Sequence, residues 1–276
     1  MDYSKYVQLS KIVRRDIIEM LYQAGSGHPG GSLSCVELIV ALYFKILKHK
    51  PDNPCWEDRD RVIFSKGHVC PTQYACLAHV GYFPVEELLT LRKIGSKLQG
   101  HPGYLCNLNG IEVSTGSLGQ GLSIGCGMAL GLKADKRDSK VYVLLGDGEL
   151  QAGQIWEAAM TASHYNLDNL CAIVDYNGLQ IDGKVDEIMN VAPVKEKFES
   201  FGWQVLEIDG HKYSDIFKAY EKFLKHKGTP TVIIANTVKG KGVSYMEHNV
   251  DWHGKSPNKE LRDIALKDIE KQDVGV

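Results

Sequence analysis

Two stretches decide the fold: Val141-Tyr-Val-Leu-Leu-Gly-Asp-Gly-Glu-Leu-Gln151 and Leu170-Cys-Ala-Ile-Val-Asp-Tyr-Asn-Gly178. Each is a short apolar run that ends in small or oxygen-bearing residues, which is typical of a buried parallel strand whose carboxyl end opens into a site. The segment between them, residues 154–164, predicts a crossover helix. A right-handed strand–helix–strand unit brings both strand ends to one edge of the sheet. The sequence therefore predicts that Asp147 and Asn177 lie close together.

Asp147 and Asn177 carry the chemistry expected of a metal site. Carboxylate and amide oxygens suit Mg²⁺ or Ca²⁺, and Mg²⁺ commonly completes its coordination with phosphate oxygens and water. Gly146 and Gly148 flank the aspartate, so the backbone can approach a phosphate closely, and the following helix presents its N-terminal amides to an anion. A Gly-Asp-Gly alone is more often a plain turn. The asparagine after a helix and a second strand favours the ligand interpretation.

Composition excludes several classes of function. The 276 residues include 32 basic and 34 acidic ones, a formal charge of −2, so no broad basic field predicts a nucleic-acid or membrane partner. The polar start is unlike a signal peptide, and no apolar run approaches the ~20 residues of a membrane span. The length is near the upper limit for one hydrophobic core. We expect residues 1–276 to form a single α/β domain.

Seven cysteines show no Cys-x-x-Cys spacing of a zinc or redox site. Several lie in apolar surroundings, where a free thiol behaves as a small core residue. We therefore expect reduced, structural cysteines and a cytoplasmic protein.

Hydrophobic periodicity predicts a mostly parallel central sheet with helices on both faces. The predicted strands are the two quoted above together with residues 61–65, 203–208 and 231–236. The predicted helices cover about residues 5–22, a segment from Ser32 or Ser34 to about 47, 71–80, 154–164, 214–226, and a last one from about 258 that ends in a charged tail.

Two glycine-containing segments need separate interpretation. Glycines 121, 125, 127 and 131 should each weaken a helix by about 1 kcal/mol relative to alanine, so the apolar segment 116–131 predicts a helix whose small faces contact a neighbouring helix or a cofactor. Lys239-Gly-Lys-Gly242 lacks the Walker spacing of a phosphate loop. We expect it to be a solvated turn with at most an ancillary role.

Motifs along most of the chain resemble the amino-terminal half of transketolase. They are Ser26-Gly-His-Pro-Gly30, Arg59-Asp-Arg61, Ser65-Lys-Gly-His68, Gly100-His-Pro102, Thr115-Gly116 with Leu118-Gly-Gln-Gly121, Gly146-Asp-Gly148 running to Asn177, Gln180-Ile-Asp-Gly183, and His248 with His253-Gly254. The resemblance implies a thiamine diphosphate-binding fold. One departure is Ala152, which stands where the family commonly has glutamate.

The resemblance also implies a role for each matching residue. The metal, Mg²⁺ or Ca²⁺, would be bound by Asp147, Asn177 and the main-chain oxygen of Leu179. Residues implied to bind thiamine diphosphate are His68, Gly116, Leu118, Gly146, Asp147, Gly148, Asn177 and His253. His28, His101 and His253 would act on the reacting hydroxyls of the substrate, because imidazole can donate or accept a proton near neutral pH.

The activity implied is transfer of a two-carbon ketol unit from a ketose phosphate to an aldose phosphate, in carbohydrate metabolism of the pentose phosphate pathway. In the full-length family the carboxyl-terminal half supplies an activating glutamate and the substrate-phosphate ligands, and the chain stops at Val276. We therefore expect the partner to be a separate carboxyl-terminal transketolase subunit, in a heterotetramer of two plus two chains.

Three alternatives remain open at this point. The first is a two-chain transketolase for an unusual sugar, such as a sulfosugar or a branched pentose. The second keeps the cofactor but changes the reaction, to a deoxyxylulose-phosphate-synthase-like or 2-oxo-acid decarboxylating subunit. The third is a degenerate scaffold or regulatory subunit without cofactor, which the presence of both Asp147 and Asn177 disfavours.

Overall fold

In the computed structural model, which describes residues 2–271, five strands form one parallel sheet in the order β1-β2-β3-β5-β4. The strands are β1 (Arg61–Phe64), β2 (Val141–Gly146), β3 (Leu170–Tyr176), β4 (Gln204–Asp209) and β5 (Thr231–Asn236). Gly146 is paired with Asp175, and Tyr176 with Asn236. The carboxyl ends of β2, β3 and β5 therefore stop at one edge of the sheet, as the strand–helix–strand pattern predicts.

Ten α-helices accompany these strands within residues 2–271. They are α1 (Ser4–Ala24), α2 (Pro29–Ser34), α3 (Val36–Ala41), α4 (Cys70–His79), α5 (Gln120–Ala134), α6 (Gly153–His164), α7 (Val185–Ile188), α8 (Val194–Ser200), α9 (Tyr213–Lys225) and α10 (Lys259–Lys271). The helix predicted to start at Ser32 or Ser34 begins earlier, at Pro29, because proline is favoured in the first helical turn. Neither serine caps it: the hydroxyl of Ser32 donates to the main-chain oxygen of His28, and that of Ser34 donates to the carboxylate of Asp175 in β3.

The sheet separates two apolar layers. In β2, Tyr142 and Leu144 belong to the layer formed with α1, α3, α4 and α9, whereas Val143 and Leu145 belong to the layer formed with α5, α6 and α8. Side chains of a strand point alternately to its two faces, so a strand covered on both sides is apolar throughout. This explains the continuous apolar runs of the sequence and confirms the predicted α/β fold with helices on both faces.

The glycines of α5 allow close packing, but against the sheet. A Cβ at Gly121 would lie 2.4 Å from Cβ of Ser65, and one at Gly125 would lie 2.6 Å from Cγ2 of Val143. Side chains at these two positions would push the helix away from β1 and β2. The predicted helix is thus confirmed. The expectation that its glycines contact a helix or a cofactor was wrong for these two, which lie against the sheet.

No helix among residues 2–271 combines the length and the apolar character needed to cross a membrane. All seven cysteines are free thiols. The charged tail predicted after the last helix falls on residues 272–276, outside the described residues. The single-domain assignment of 1–276 stays a prediction.

Candidate functional site

A cavity of about 340 Å³ lies at the carboxyl edge of the sheet. The structure brings all the site residues predicted from the sequence to its wall: His28, His68, His101, Gly116, Leu118, Gly146, Asp147, Gly148, Asn177, Leu179 and His253. They come from the loop before α2, from the ends of β1, β2 and β3, and from loops that precede α5 and follow β5. Their binding and catalytic roles stay predictions. His248, by contrast, is exposed and does not line the cavity.

Asp147 is held by backbone amides at the end of β2. Its Oδ1 accepts from the main-chain N–H of Gly148 (2.8 Å) and its Oδ2 from that of Gly178 (2.5 Å), so one carboxylate links the loops after β2 and β3. The side chain is only 2 % exposed. Burial, and then the negative charge of Asp175, raise the pKa of Asp147 to about 6, against the opposing effect of the two amides. A buried carboxylate whose charge is so disfavoured fits a site completed by a cation.

Asn177 and Leu179 supply the other expected metal ligands. The amide Nδ2 of Asn177 donates to Asp175 (3.3 Å), and its Oδ1 accepts from the N–H of Leu179 (3.1 Å). Within residues 2–271 no three His, Cys, Asp or Glu side chains are arranged to hold a metal ion. A metal here therefore depends on the amide and main-chain oxygens beside Asp147, an all-oxygen set of the kind that Mg²⁺ and Ca²⁺ prefer.

A buried ion pair lies on the cavity side of the sheet. Lys66, two residues after the end of β1, donates to the carboxylate of Asp175, the last but one residue of β3. Asp175 also accepts from the hydroxyls of Ser34 and Thr237. Burial alone would raise the pKa of Asp175, but the charge of Lys66 and these hydrogen bonds lower it overall. The positive charge that Lys66 brings to the cavity wall is therefore already balanced.

Four histidines form a compact cluster in the cavity. The ring centroid of His28 lies 5.1 Å from that of His68, 5.4 Å from that of His253 and 6.3 Å from that of His101. The rings of His68 and His253 are 5.3 Å apart. The three histidines predicted to handle protons therefore converge, although they lie in loops that are far apart in the sequence.

The surroundings of all four imidazoles favour the neutral form. Burial, followed by nearby positive charges, lowers the pKa of His28 and of His253 to about 4. The same causes lower the pKa of His68 and, to a lesser extent, that of His101. A neutral imidazole has one N–H donor and one acceptor nitrogen, so each ring can exchange a proton with a hydroxyl group.

The Nδ1 atom of His28 is buried and has no hydrogen-bond partner. Buried polar atoms in native proteins are nearly always satisfied. An unsatisfied imidazole nitrogen in a cavity wall therefore indicates a position that a bound molecule completes. Gly148 is packed closely within the same cavity wall, since a Cβ there would lie 3.1 Å from Cβ of Gln180.

The expectation of a solvated turn at Lys239 was wrong. Lys239 is 2 % exposed, and its ammonium group donates to Nδ1 of His253 (2.9 Å) and to the main-chain oxygen of Leu179 (3.3 Å). No carboxylate among the described residues forms an ion pair with it. Burial, and then the charge of Lys66, lower its pKa to about 8. Buried charges normally have a counterion, so this one fits an anionic ligand such as a diphosphate.

Among the other residues of the cavity wall, sequence reasoning missed three that are buried and charged: Lys66, Glu149 and Lys239. Glu149 is buried and accepts from the hydroxyl of Ser65 and from the amides of Gly119 (2.8 Å) and Gly146 (3.0 Å). Each missed residue follows closely on the end of a predicted strand. That position, where parallel sheets place ligands, was the available signal.

Comparison with known proteins agrees with this geometry. Residues 4–268 match the family described as transketolase, thiamine diphosphate binding domain. The chain is 43 % identical over 266 residues to the 6-deoxy-6-sulfo-D-fructose transketolase subunit of Clostridium sp. (strain MSTE9), covering 95 % of both chains. It is 43 % identical over 259 residues to an apulose-4-phosphate transketolase subunit of Phocaeicola vulgatus, covering 94 % of this chain and 92 % of that one.

Full-length transketolases match over less than half of their length. The chain is 41 % identical to human transketolase over 261 residues, which are 94 % of this chain and 41 % of that protein. The crystal structure of transketolase from Campylobacter jejuni superposes with a TM-score of 0.92 at 35 % identity, covering 99 % of this chain and 44 % of that one. The chain belongs to the transketolase family, in which it represents the thiamine diphosphate-binding domain.

Proposed function

We propose that this chain is the amino-terminal subunit of a two-chain transketolase that uses thiamine diphosphate and Mg²⁺. The single observation that carries the proposal is the cavity in which Asp147, Asn177 and the Leu179 carbonyl lie beside an unpaired buried ammonium and the histidine cluster. This combination offers oxygen ligands for a divalent cation, a counterion for a diphosphate, and neutral imidazoles for proton exchange.

The cavity residues divide into two groups by chemistry. Bound thiamine diphosphate supplies the carbon nucleophile that cleaves a ketose next to its carbonyl group. Asp147, Asn177 and Leu179 would hold the metal, while His68, His253 and Gly148 would contact the diphosphate. Lys239 adds a positive charge to this group. Gly116 and Leu118 would lie against the aminopyrimidine side.

His28, His101 and His253 would hold and move protons on the sugar hydroxyls. Their low pKa values follow from burial and from the uncompensated charge of Lys239 and Arg92. An anionic diphosphate beside Lys239 offsets part of that positive charge, and the pKa of the nearby imidazoles then rises toward neutrality. Imidazoles poised in that range are efficient acids and bases at pH 7.

The surface at the cavity mouth supports the presence of a second chain. Leu118 (42 % exposed) and Ile181 (63 %) line the cavity, and the exposed Met189 lies beside its rim, where its main-chain oxygen accepts from the cavity residue Gln151. Such a group of exposed apolar side chains marks an interaction site. A carboxyl-terminal transketolase chain seated here would close the cavity and supply the activating glutamate and the substrate-phosphate ligands.

The test is reconstitution. The purified chain is assayed for ketol transfer from a ketose phosphate to an aldose phosphate, alone and with the carboxyl-terminal transketolase chain of the same genome. We expect activity only from the two chains together, a mass by light scattering of two plus two chains, and loss of activity with Asp147→Ala. Full activity of the chain alone refutes the two-subunit proposal. Release of carbon dioxide from pyruvate without ketol transfer assigns the other reaction class.

A second candidate is a two-chain transketolase for an unusual sugar. It is favoured by the two relatives at 43 % identity, whose names specify 6-deoxy-6-sulfo-D-fructose and apulose 4-phosphate. Comparing those sugars with common pentose and hexose phosphates in the same assay decides between the candidates. Preference for the common sugar phosphates would place the enzyme in the pentose phosphate pathway.

We place it in the cytoplasm, which the seven free thiols support.

A further inference from the structure

Arg92 lies between the loops that carry His28 and His101. A Cβ added at Gly100 would lie 2.7 Å from Nε, from Cζ and from Nη2 of Arg92. Three equal distances mean that the face of the guanidinium group lies flat on Gly100. A Cβ at Gly27 would lie 3.9 Å from Nε of the same side chain. The guanidinium is therefore packed against Gly100, which directly precedes His101, and lies near Gly27, which directly precedes His28.

Two hydrogen bonds fix Arg92 in this position. Its main-chain N–H donates to the oxygen of Leu98 (2.8 Å), which closes the 92–98 loop, and its Nη1 donates to the hydroxyl of Ser26 (3.3 Å). The backbone of Arg92 has φ of 61°, a left-handed conformation that is uncommon for a residue with a side chain. The side chain thus connects the loop before α2 with the loop that holds His101.

The charge of Arg92 is not neutralised by an acidic side chain. Within residues 2–271 no carboxylate forms an ion pair with it, although its side chain is half-buried. After burial, Arg92 is the largest influence that lowers the pKa of both His28 and His101. The other groups facing His28 are His101, Lys239 and the rings of His68 and His253.

We propose that Arg92 is a positioning residue that fixes the separation of the His28 and His101 loops and keeps a positive charge between the two imidazoles. The flat guanidinium spans both loops, which the single ammonium of a lysine cannot do. This position of Arg92 requires a glycine at residue 100, because any larger residue there would occupy the space of the guanidinium. The inference rests on the proposed function only in treating His28 and His101 as the proton-handling pair.

The test is a double-mutant cycle read by histidine NMR titration of the chain and by ketol transfer of the two-chain complex. In Arg92→Met we expect the titration midpoints of His28 and His101 to move upward, while the imidazole signals of His164 and His226, outside the cavity, stay in place. We expect kcat/KM to fall roughly ten- to hundred-fold, since misplaced catalytic groups cost that much. Arg92→Lys should restore the titration midpoints but not the rate.

Gly100→Ala perturbs the same contact from the other side. It should reduce kcat/KM in the wild-type background but by less than about two-fold in the Arg92→Met background, because the contact is then already lost. Two variants are the matched controls. In Gly127→Ala the added Cβ meets nothing within 4 Å, and Lys93→Met changes an exposed residue next to Arg92. If Arg92→Met does not fold, Arg92→Lys takes its place in the cycle.

Two results overturn the inference: unchanged midpoints of both histidines in Arg92→Met, or an equal loss of rate from Gly100→Ala in both backgrounds. The NMR titration needs neither cofactor nor partner. Moved midpoints in the chain, together with a two-chain complex that shows no ketol transfer, would therefore uphold the electrostatic part of this inference and refute the proposed function. Unmoved midpoints in the chain, together with an active complex, would refute this inference and uphold the proposed function.

Discussion

Replacing Asp175 by asparagine should destabilise the chain strongly, because it removes the counterion of a buried ammonium group. The side chains of Lys66 and Asp175 are 4 % and 0 % exposed, so water cannot solvate the charge that is left. Asp175 also accepts from the hydroxyls of Ser34 and Thr237. An amide has one oxygen in place of two, so at least one of these donors loses its acceptor.

Breaking a buried pair by removing one partner costs about 3–5 kcal/mol. The whole stability of a folded domain is about 5–15 kcal/mol, so the loss is a large fraction of it. At roughly 2–4 °C per kcal/mol for a chain of this size, the melting temperature should fall by roughly 6–20 °C. Lys66→Met combined with Asp175→Asn should lose less than Asp175→Asn alone, because the unpaired charge is gone.

Urea unfolding followed by circular dichroism measures these differences. Glu187→Gln is the control, because it breaks a pair with Lys184 in which the side chains are 63 % and 61 % exposed. It should change the free energy of unfolding by less than about 1 kcal/mol. A loss below about 1 kcal/mol for Asp175→Asn, or a double variant less stable than the single one, refutes the reasoning.

Three further predictions concern the cavity and its support. The metal affinity of the complex should fall about ten-fold per pH unit as the pH drops below about 6, because a proton on Asp147 competes with the metal. Calorimetry measures this affinity, and a flat profile from pH 7 to 5 contradicts the prediction. Lys239→Met should weaken thiamine diphosphate binding about ten-fold or more. Lys241→Met, the control at a more exposed lysine paired with Glu247, should leave the binding unchanged. Equal effects of the two variants argue against an anion beside Lys239. Burial would raise the pKa of Glu37, but the charges and hydrogen bonds of Arg14 and His211 together outweigh it and lower the pKa from 4.5 to about 2. Glu37 thus contributes stability above about pH 4.5 that is lost as the pH falls toward 2, and Glu37→Gln should flatten acid unfolding in that window; an unchanged acid profile is the opposing result.

The strands were the elements that could be predicted most reliably from the sequence. Apolar runs such as Val141–Gly146 are buried on both faces, and only a parallel sheet covered by helices accounts for them. The order β1-β2-β3-β5-β4 was not predictable from those runs, since each of them would fit any place inside such a sheet. The prediction of a shared edge needed only the handedness of one crossover, which is nearly invariant.

Within the site, motif residues were predictable and charge balance was not. His28 and His101 are recognisable because glycine and proline fix their loops. Lys239 looked solvated because a lysine next to a glycine in a loop usually is, and only the packing of its loop against Gly30 shows its burial. Arg92 carried no signal at all, because its contact with Gly100 depends on the folded path of two separate loops.

The central claim is that oxygens of Asp147, Asn177 and Leu179 bind one divalent ion that holds a diphosphate. A crystal structure of the two-chain complex with thiamine diphosphate and Mn²⁺ in place of Mg²⁺ tests it most directly, through the anomalous signal of the metal. The account predicts one peak per cavity, at about 2.0–2.2 Å from Oδ of Asp147, Oδ1 of Asn177 and the main-chain oxygen of Leu179. A peak bound by other residues, or an ordered cofactor with no metal at these oxygens, would contradict it.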